Sequence, residues 1–362
     1  MTNVHGGEGG AAEPGVEDSR RFHHEALLYA GDGQFVAGAA AFIREGLNAG
    51  EPVMVMVVEP RARLLRTELG AAADAVQFLD LAQVGRNPAR IIPAWQAWVD
   101  RNRQVGGPLR GVGEPLWAGH TAAEIREWQL HVALLSVAFG AGDGAGADAS
   151  VDADAIIGAD PGAAWRLLSA YDTSVLGGDV ISHVTRSHPT LLDQTGARRP
   201  SPDYRHSKVV VDALLADPLP EPTTKPYETQ FDRRDLAWLR QVVSDRAERA
   251  GLAPAQAKDL VLAMNELVCN SIQHGGGDGV LRLWEETSAL YGEVHNPGMI
   301  HDPLVGRTQP PASAQGGAGL WIVNQVCDLV QIRSSAGDGV TVRVRMALPA
   351  ADEGVQGAPG NP

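Results

Sequence analysis

Three residues able to do proton-transfer or metal chemistry recur at four-residue intervals: Glu266, Asn270 and His274. On a helix this spacing places all three along one face. A carboxylate can accept a proton from a hydroxyl or a water molecule, and a carboxamide oxygen can ligate a hard cation such as Mg²⁺. An ordinary solvated helix face has the same spacing, so the pattern alone does not establish a site.

The helix that must carry these residues has clear end signals. Pro254 suits its first turn and Gly275 suits its C-terminal stop. The apolar residues of the same stretch recur at helical spacing and predict its buried face; they are Leu260, Met264, Leu267, Val268 and Ile272.

Further motifs follow in order. Asn296-Pro297-Gly298 ends a predicted strand, Gly317-Ala318-Gly319-Leu320 opens a predicted helix, and Thr341 lies in a terminal strand pair. The order resembles the ATP-binding domain of the GHKL superfamily, and more narrowly the anti-sigma-factor serine kinases of bacteria. The resemblance covers about residues 227–349. It implies a two-layer α+β sandwich, with helices on one face of a mixed sheet.

The resemblance also implies roles for these residues. Glu266 would be catalytic and would activate the acceptor hydroxyl, and Asn270 would hold Mg²⁺ on the triphosphate of ATP. Residues 299–316 would form a lid, and His274 would either orient Glu266 or end the helix. The implied nucleotide-binding residues are Asn270, Asn296, Gly298, Gly317, Gly319, Leu320 and Thr341.

One position departs from the family pattern. Asn296 stands where the family has an aspartate that accepts a hydrogen bond from the adenine amino group. Asparagine keeps an acceptor oxygen but lacks the negative charge. Because charge-assisted hydrogen bonds are about twice as strong as neutral ones, we expect weaker ATP binding but not its loss.

The N-terminal half alternates strand and helix patterns. Residues 52–58 form a continuous apolar run, which is typical of a parallel strand covered on both faces. The motifs His24-Glu25-Ala26-Leu27-Leu28-Tyr29, Gly50-Glu51-Pro52-Val53, Gly113-Glu114-Pro115-Leu116-Trp117 and Tyr171-Asp172 resemble the MEDS sensory domain. That resemblance implies a mostly parallel, P-loop-like α/β fold that senses small ligands.

The phosphate-binding signature of a P-loop is missing. Gly31-Asp32-Gly33 lacks the Gly-x-x-x-x-Gly-Lys-Ser/Thr pattern, so a plain βα turn is the favoured interpretation. His24 and Glu114 are expected near strand ends, where open α/β sheets bind ligands. With Trp117 they form a candidate sensory pocket, although His24 could be structural and Trp117 could simply pack.

Composition excludes several classes of protein. The formal net charge is −14 over 362 residues, without a long basic run, so direct nucleic-acid binding is not expected. The two cysteines, Cys269 and Cys327, lie in apolar helical patterns and are expected to be free thiols. No apolar run approaches the length of a membrane span, and no signal peptide is recognisable, so we expect a cytoplasmic protein.

The predicted domain order is a disordered tail at 1–19, a MEDS-like domain at 20–195 and a linker at 196–226. A histidine kinase-like ATPase domain at 227–349 and a disordered tail at 350–362 follow. Proline clusters mark the linker, which has a possible short helix at 209–215, and Ala, Gly and Asp dominate a surface insertion at 141–162.

Three functions remain open. The first is an anti-sigma regulatory factor that binds a sigma factor and phosphorylates a serine or threonine of an antagonist protein, under control of a small-molecule ligand. The second is a sensor histidine kinase, although His206 lacks a long helical frame. The third is a module that holds ATP or a sigma factor without turnover. Related kinases often form homodimers.

Overall fold

The computed structural model describes residues 22–102, 106–116, 119–140, 165–310 and 317–349. The predicted tails, the insertion at 141–162 and Trp117 therefore lie outside the described residues. The chain divides into two compact units. The second unit takes in Ala82–Trp95 and Thr121–Leu134 in addition to the chain from Lys208 onward.

The first unit is built on a parallel-rich sheet. Its strands are β1 (Phe22–Tyr29), β2 (Val53–Val57), β3 (Val76–Asp80), β4 (Leu109–Gly113), β5 (Trp165–Asp172), β6 (Thr190–Leu192) and β7 (Arg198–Pro200). Their order is β3-β2-β4-β5-β1-β6-β7, and only β7 pairs antiparallel, with β6. All five residues of β2 are buried, as the continuous apolar run predicts for a strand covered on both faces.

Helices alternate with these strands along the chain, and their residues within Ala82–Trp95 and Thr121–Leu134 belong to the second unit. The helices are α1 (Gly31–Asn48), α2 (Glu59–Leu69), α3 (Leu81–Val84), α4 (Ile91–Asn102), α5 (Ala122–Phe139) and α6 (Gly178–Ser187). On α1, Phe35, Ala39 and Phe42 recur at helical spacing and are buried. Gly38 lies against Leu27 of β1, where a Cβ would fall 2.7 Å from a leucine methyl carbon. This contact fixes the close approach of α1 to the sheet.

The predicted linker range 196–226 contains regular structure. β7 lies within it, and α7 (Ser207–Ala216) covers the helix expected at 209–215. Val211 and Leu214 of α7 are buried, so this helix packs through an apolar face.

The second unit is built on an antiparallel sheet. Its strands are β8 (Tyr227–Asp232), β9 (Asp278–Glu286), β10 (Ala289–Asn296), β11 (Leu329–Ser335) and β12 (Gly339–Ala347), in the order β11-β12-β10-β9-β8. The mixed sheet expected from the sequence is wrong, because every pairing here is antiparallel. β10 and β11 run in the same direction, but β12 lies between them.

Three helices after residue 227 share a core with this sheet. They are α8 (Leu236–Arg249), α9 (Pro254–His274) and α10 (Gly319–Val326). The buried face of α9 contains Leu260, Met264, Leu267 and Val268, as the spacing predicts, and Ile272 is partly buried beside them. These side chains share one core with inward-facing sheet residues such as Val294 and Val342. Packing of this apolar face into the core leaves Glu266 and Asn270 on a part of α9 that is only half-buried.

We expect Leu260→Ala to lower the free energy of unfolding by about 3 kcal/mol, because Leu260 is 0% exposed and its loss leaves a cavity. Urea titration followed by circular dichroism measures the change. Leu262→Ala is the matched control: Leu262 is on the same helix but 40% exposed, and its change should stay within about 0.5 kcal/mol. Equal effects of the two substitutions would contradict this packing of α9.

Candidate functional site

α9 presents its polar residues to a cavity. Glu266 and Asn270 are half-buried on this helix, and His274 is its exposed last residue. The cavity has a volume of about 360 Å³, which lies in the usual range for small-molecule sites. Asn270 and His274 both line it, so two of the three residues aligned by the spacing face the same space.

The walls of the cavity come from four parts of the second unit. α9 forms one wall, and the end of β10 with the following loop forms another; the start of α10 and two valines of β12 complete it. The predicted residues that line the cavity are Asn270, Asn296, Gly298, Gly317, Gly319 and Leu320. The structure thus brings together motifs that are up to 50 residues apart in the sequence.

Gly319 sets how closely α10 approaches α9. A Cβ at this position would lie 3.0 Å from Oε2 of Glu266 and 3.1 Å from Nδ2 of Asn270. Glycine therefore lets the first turn of α10 meet the carboxylate and the carboxamide directly. Gly317, two residues earlier, has φ of +82°, a conformation that favours glycine. The free amides of a helix N-terminus, which attract anions, are thereby placed beside Glu266 and Asn270.

Asn296 is buried at the end of β10 and held by two hydrogen bonds. Its Nδ2 donates to Oγ of Ser271 at 2.8 Å, and its Oδ1 accepts from the amide of Gly298 at 2.9 Å. Gly275 packs on the same carboxamide, where a Cβ would come within 2.4 Å of Oδ1. The side chain is therefore fixed in orientation at the cavity wall.

The sensory candidates occupy different levels of the first sheet. Glu114 follows β4 directly, near the carboxyl edge of the sheet. His24 lies near the amino end of β1. It is opposite Leu167 of β5, which in turn is opposite Gly111 in the middle of β4. The expectation that both residues lie near the ligand-binding strand ends is wrong for His24. Its ring instead bonds Ser169 Oγ at 3.0 Å and Ser136 Oγ at 3.2 Å, which is a structural role.

Glu114 is the centre of a buried polar cluster. Its Oε1 accepts hydrogen bonds from the hydroxyl of Tyr29 and, at 3.1 Å, from Nε of Arg61. Nη2 of Arg61 also donates to Tyr29 Oη at 3.1 Å and to Asp172 Oδ2 at 3.4 Å. Burial raises the pKa of Glu114, and the hydrogen bonds from Tyr29 and Arg61 partly oppose the rise. The cluster joins the ends of β1, β4 and β5 to the start of α2.

Two protein-family models match this chain. The model of the MEDS domain (MEthanogen/methylotroph, DcmR Sensory domain) matches residues 23–146. The model of the histidine kinase-like ATPase domain matches residues 229–346. The chain carries these two domains. A search of curated proteins finds no match. A kinase-like ATPase domain together with a sensory domain suggests a signalling regulator.

The ATPase domain implies ATP binding, usually with Mg²⁺. Its antiparallel sheet with α8, α9 and α10 is compatible with a GHKL-like ATPase domain. Within the described residues, no group of three or more His, Cys, Asp or Glu side chains is arranged to hold a metal ion. No described helix is both long enough and apolar enough to span a membrane.

Thr341 is the predicted nucleotide-binding residue that the structure does not bring to the cavity. Successive side chains of a strand point to opposite faces. Val340 and Val342 of β12 line the cavity, so Thr341 faces away from it. Its hydroxyl bonds Nδ1 of His295, the residue opposite it on β10, at 3.0 Å. The order of the motifs located the strand correctly but did not fix which face the threonine takes.

Other contributors were not identified from the sequence. In the ATPase domain this is Ser271, which bonds Asn296. Met299, Ile300 and Val305 line the cavity and belong to the loop expected as a lid, of which residues 311–316 lie outside the described residues. In the MEDS domain, Arg61 was missed. Tyr29 and Asp172 lie within the motifs that carried the resemblance, so their position at strand ends was a usable signal.

We expect His188, in the first unit, to make the folded state sensitive to acid. Burial lowers the pKa of this 0% exposed histidine to about 4, whereas an unfolded histidine titrates near 6.5. Between these two values the unfolded chain binds a proton that the folded chain does not, so the free energy of unfolding should fall as the pH drops from about 6.5 to 4.

His188→Asn should reduce this pH slope, and chemical denaturation at pH 7, 6 and 5 measures it. The slope lost should be at most about 1.4 kcal/mol per pH unit. His206→Asn, at an exposed position, is the control. A slope that His188→Asn leaves unchanged would contradict the assignment.

Proposed function

We propose that this chain is an anti-sigma regulatory factor with ATP-dependent serine/threonine protein kinase activity. Its substrate would be an antagonist protein that carries a serine or threonine, and its other partner a sigma factor. The observation that carries the proposal is the close approach of Gly319 to Glu266 and Asn270, beside a cavity that Asn270 and Gly319 line in an ATPase domain.

The residues present suit Mg²⁺–ATP, which would supply the phosphoryl group. The carboxamide of Asn270 is a suitable hard-cation ligand, and the few protein ligands agree with the habit of Mg²⁺ of relying on phosphate oxygens and water. The first turn of α10 offers backbone amides for phosphate oxygens. Gly319 removes the Cβ that would otherwise obstruct this approach.

In this proposal Glu266 acts as the general base. Its Oε2 lies beside the turn that would hold the phosphates, so it can accept the proton of an acceptor hydroxyl as that hydroxyl attacks phosphorus. Apolar side chains of the loop after β10, including Met299, Ile300 and Val305, line the cavity and would exclude water from the reaction.

A histidine kinase is less well supported. Such an enzyme needs a phosphoacceptor histidine on a long dimerising helix pair before its ATP domain. Here His206 precedes α7, which is a single ten-residue helix in the described part of the chain. A sequestering module without turnover remains the second candidate. The observation that favours it is the neutral Asn296, whose Oδ1 is already bonded to the amide of Gly298.

Glu266→Ala should abolish phosphoryl transfer, with a loss of at least about 100-fold, because the general base is removed. ATP affinity should remain within about twofold. The transfer assay uses γ-labelled ATP, Mg²⁺ and a lysate of the source organism. A label that is stable to acid indicates phosphoserine or phosphothreonine. ATP affinity is measured separately by titration calorimetry.

Gln273→Ala, an exposed change on the same helix, should leave both measurements unaffected. Undiminished transfer by Glu266→Ala would refute the role of Glu266. ATP binding without transfer by the unchanged protein would instead identify the sequestering module, and acid-labile label on the chain itself would identify a histidine kinase.

Asn296→Asp should tighten ATP binding about fivefold, because a charged acceptor gains roughly 1 kcal/mol over a neutral one. Ser271 can follow the change by turning its hydroxyl to donate. Calorimetric titration with ATP and with GTP measures the gain and its selectivity for adenine. Asn265→Asp, on α9 and outside the cavity lining, is the control. Equal gains for ATP and GTP would argue against a contact between residue 296 and the adenine amino group.

A further inference from the structure

The second unit contains a buried carboxylate from outside the ATPase match. Glu127 lies on α5, within Thr121–Leu134, and is 1% exposed. The ATPase model begins only at residue 229, whereas Glu127 lies inside the residues matched by the MEDS model. Burying a carboxylate is costly unless charged partners compensate for the water it loses. Its partners therefore show what it does.

Two buried arginines of the ATPase domain surround Glu127. Oε2 accepts a hydrogen bond from Nη2 of Arg307 at 3.4 Å, and Oε1 lies 2.8 Å from Nη2 of Arg333 in an ion pair. Burial lowers the pKa of Arg307; the positive charge of Arg333 adds to this effect, and the negative charge of Glu127 opposes it. Without Glu127, two buried cations would face each other with no anion between them.

Arg307 belongs to the loop that lines the nucleotide cavity. The loop leaves β10 after Asn296, and its residues Met299, Ile300, Asp302 and Val305 reach the cavity. Arg307 follows two residues after Val305, and its amide donates to the carbonyl of Leu304 at 2.8 Å. A contact that holds Arg307 in position therefore also holds the end of the loop segment 299–305, which lines the cavity.

Gly306, the residue before Arg307, connects the same loop to α10 through a close contact and a hydrogen bond. Gly306 packs so closely on Leu320 that a Cβ would lie 2.7 Å from the leucine Cβ. Its carbonyl accepts a hydrogen bond from Nδ2 of Asn324 at 2.9 Å. Since Leu320 also lines the cavity, the loop is packed and hydrogen-bonded to α10 beside the cavity.

Residues of the segment Ala82–Trp95 hold the other end of α10. Nδ2 of Asn87 donates to Oδ1 of Asn324 at 3.0 Å. Arg90 donates to the carbonyls of Asn324 at 2.9 Å and Cys327 at 3.0 Å, which are among the carbonyls left free at a helix C-terminus. Both cavity elements are thus anchored by residues that precede the ATPase match.

We propose that Glu127 is a positioning residue for the nucleotide site. It holds Arg307, and through Arg307 the cavity-lining loop, in the conformation that surrounds the nucleotide. The residues of the ATPase match alone then form an incomplete site, because the anion that neutralises Arg307 and Arg333 comes from α5. This inference rests on the proposed binding of ATP in the cavity.

The test compares Glu127→Gln with Glu124→Gln in the 362-residue chain. Glutamine at 127 keeps the shape but removes the charge, so the affinity for a fluorescent ATP analogue with Mg²⁺ should fall at least tenfold. Glu124 lies on the same helix and pairs at 3.3 Å with Arg345, which does not line the cavity. Its substitution should change the affinity less than twofold.

Thermal unfolding of both variants separates positioning from support of the fold. A lower Tm for Glu127→Gln with an unchanged affinity of the folded protein would overturn the proposal. Should Glu127→Gln fail to fold, Arg307→Lys provides the same test, because lysine keeps the charge but loses the fork that reaches Glu127. It too should bind the analogue at least tenfold more weakly, and an unchanged affinity would overturn the proposal.

A double substitution tests whether the two residues act together. Glu127→Gln with Arg307→Gln should weaken binding no more than either single change, since both act on the same loop. Additive losses would refute the connection between them. Failure of the unchanged protein to bind the analogue would refute the proposed function, and the positioning role of Glu127 with it. If the unchanged protein binds the analogue and Glu127→Gln binds it equally well, only the positioning role is refuted.

Discussion

The cavity of the second unit depends on the close approach of α10 to α9. Glu266 and Asn270 are on one helix, and the amides that complement them are on another, more than 40 residues later in the sequence. Gly319 is the point of contact, where even a methyl group would meet the carboxylate and the carboxamide. The end of β10 with its loop and two valines of β12 supply the other walls of the cavity.

The sequence predicted what local patterns determine. The helical spacing of Leu260, Met264 and Leu267 identified the buried face of α9, and hence the face left to Glu266 and Asn270. The continuous apolar run of β2 likewise predicted a parallel sheet covered on both faces. The motif order then placed the glycines of residues 317–319 at the same cavity as Asn296, because each motif marks the end or the beginning of an element.

Facing and long-range pairing could not be predicted in the same way. A threonine in a strand takes one face or the other according to the strand's register, and Thr341 faces His295 rather than the cavity. His24 was placed at the correct strand but at the wrong level of the sheet. Glu127 and Arg307 are 180 residues apart, and no spacing rule connects two charges across that distance. Buried polar partners of this kind become visible only in three dimensions.

The position of β5 constrains how the first sheet can be made. β5 lies between β4 and β1, and it pairs with β1 along its whole length, from Phe22 with Trp165 to Tyr29 with Asp172. The MEDS match ends at residue 146, before this strand begins. During synthesis β1 therefore leaves the ribosome about 140 residues before β5. Until β5 follows, β1 and β4 cannot be joined in one sheet. A fragment cut at the end of the match would lack β5, β6 and β7, which leaves β1 without either neighbour and one edge of β4 unpaired. Unpaired strand edges favour aggregation.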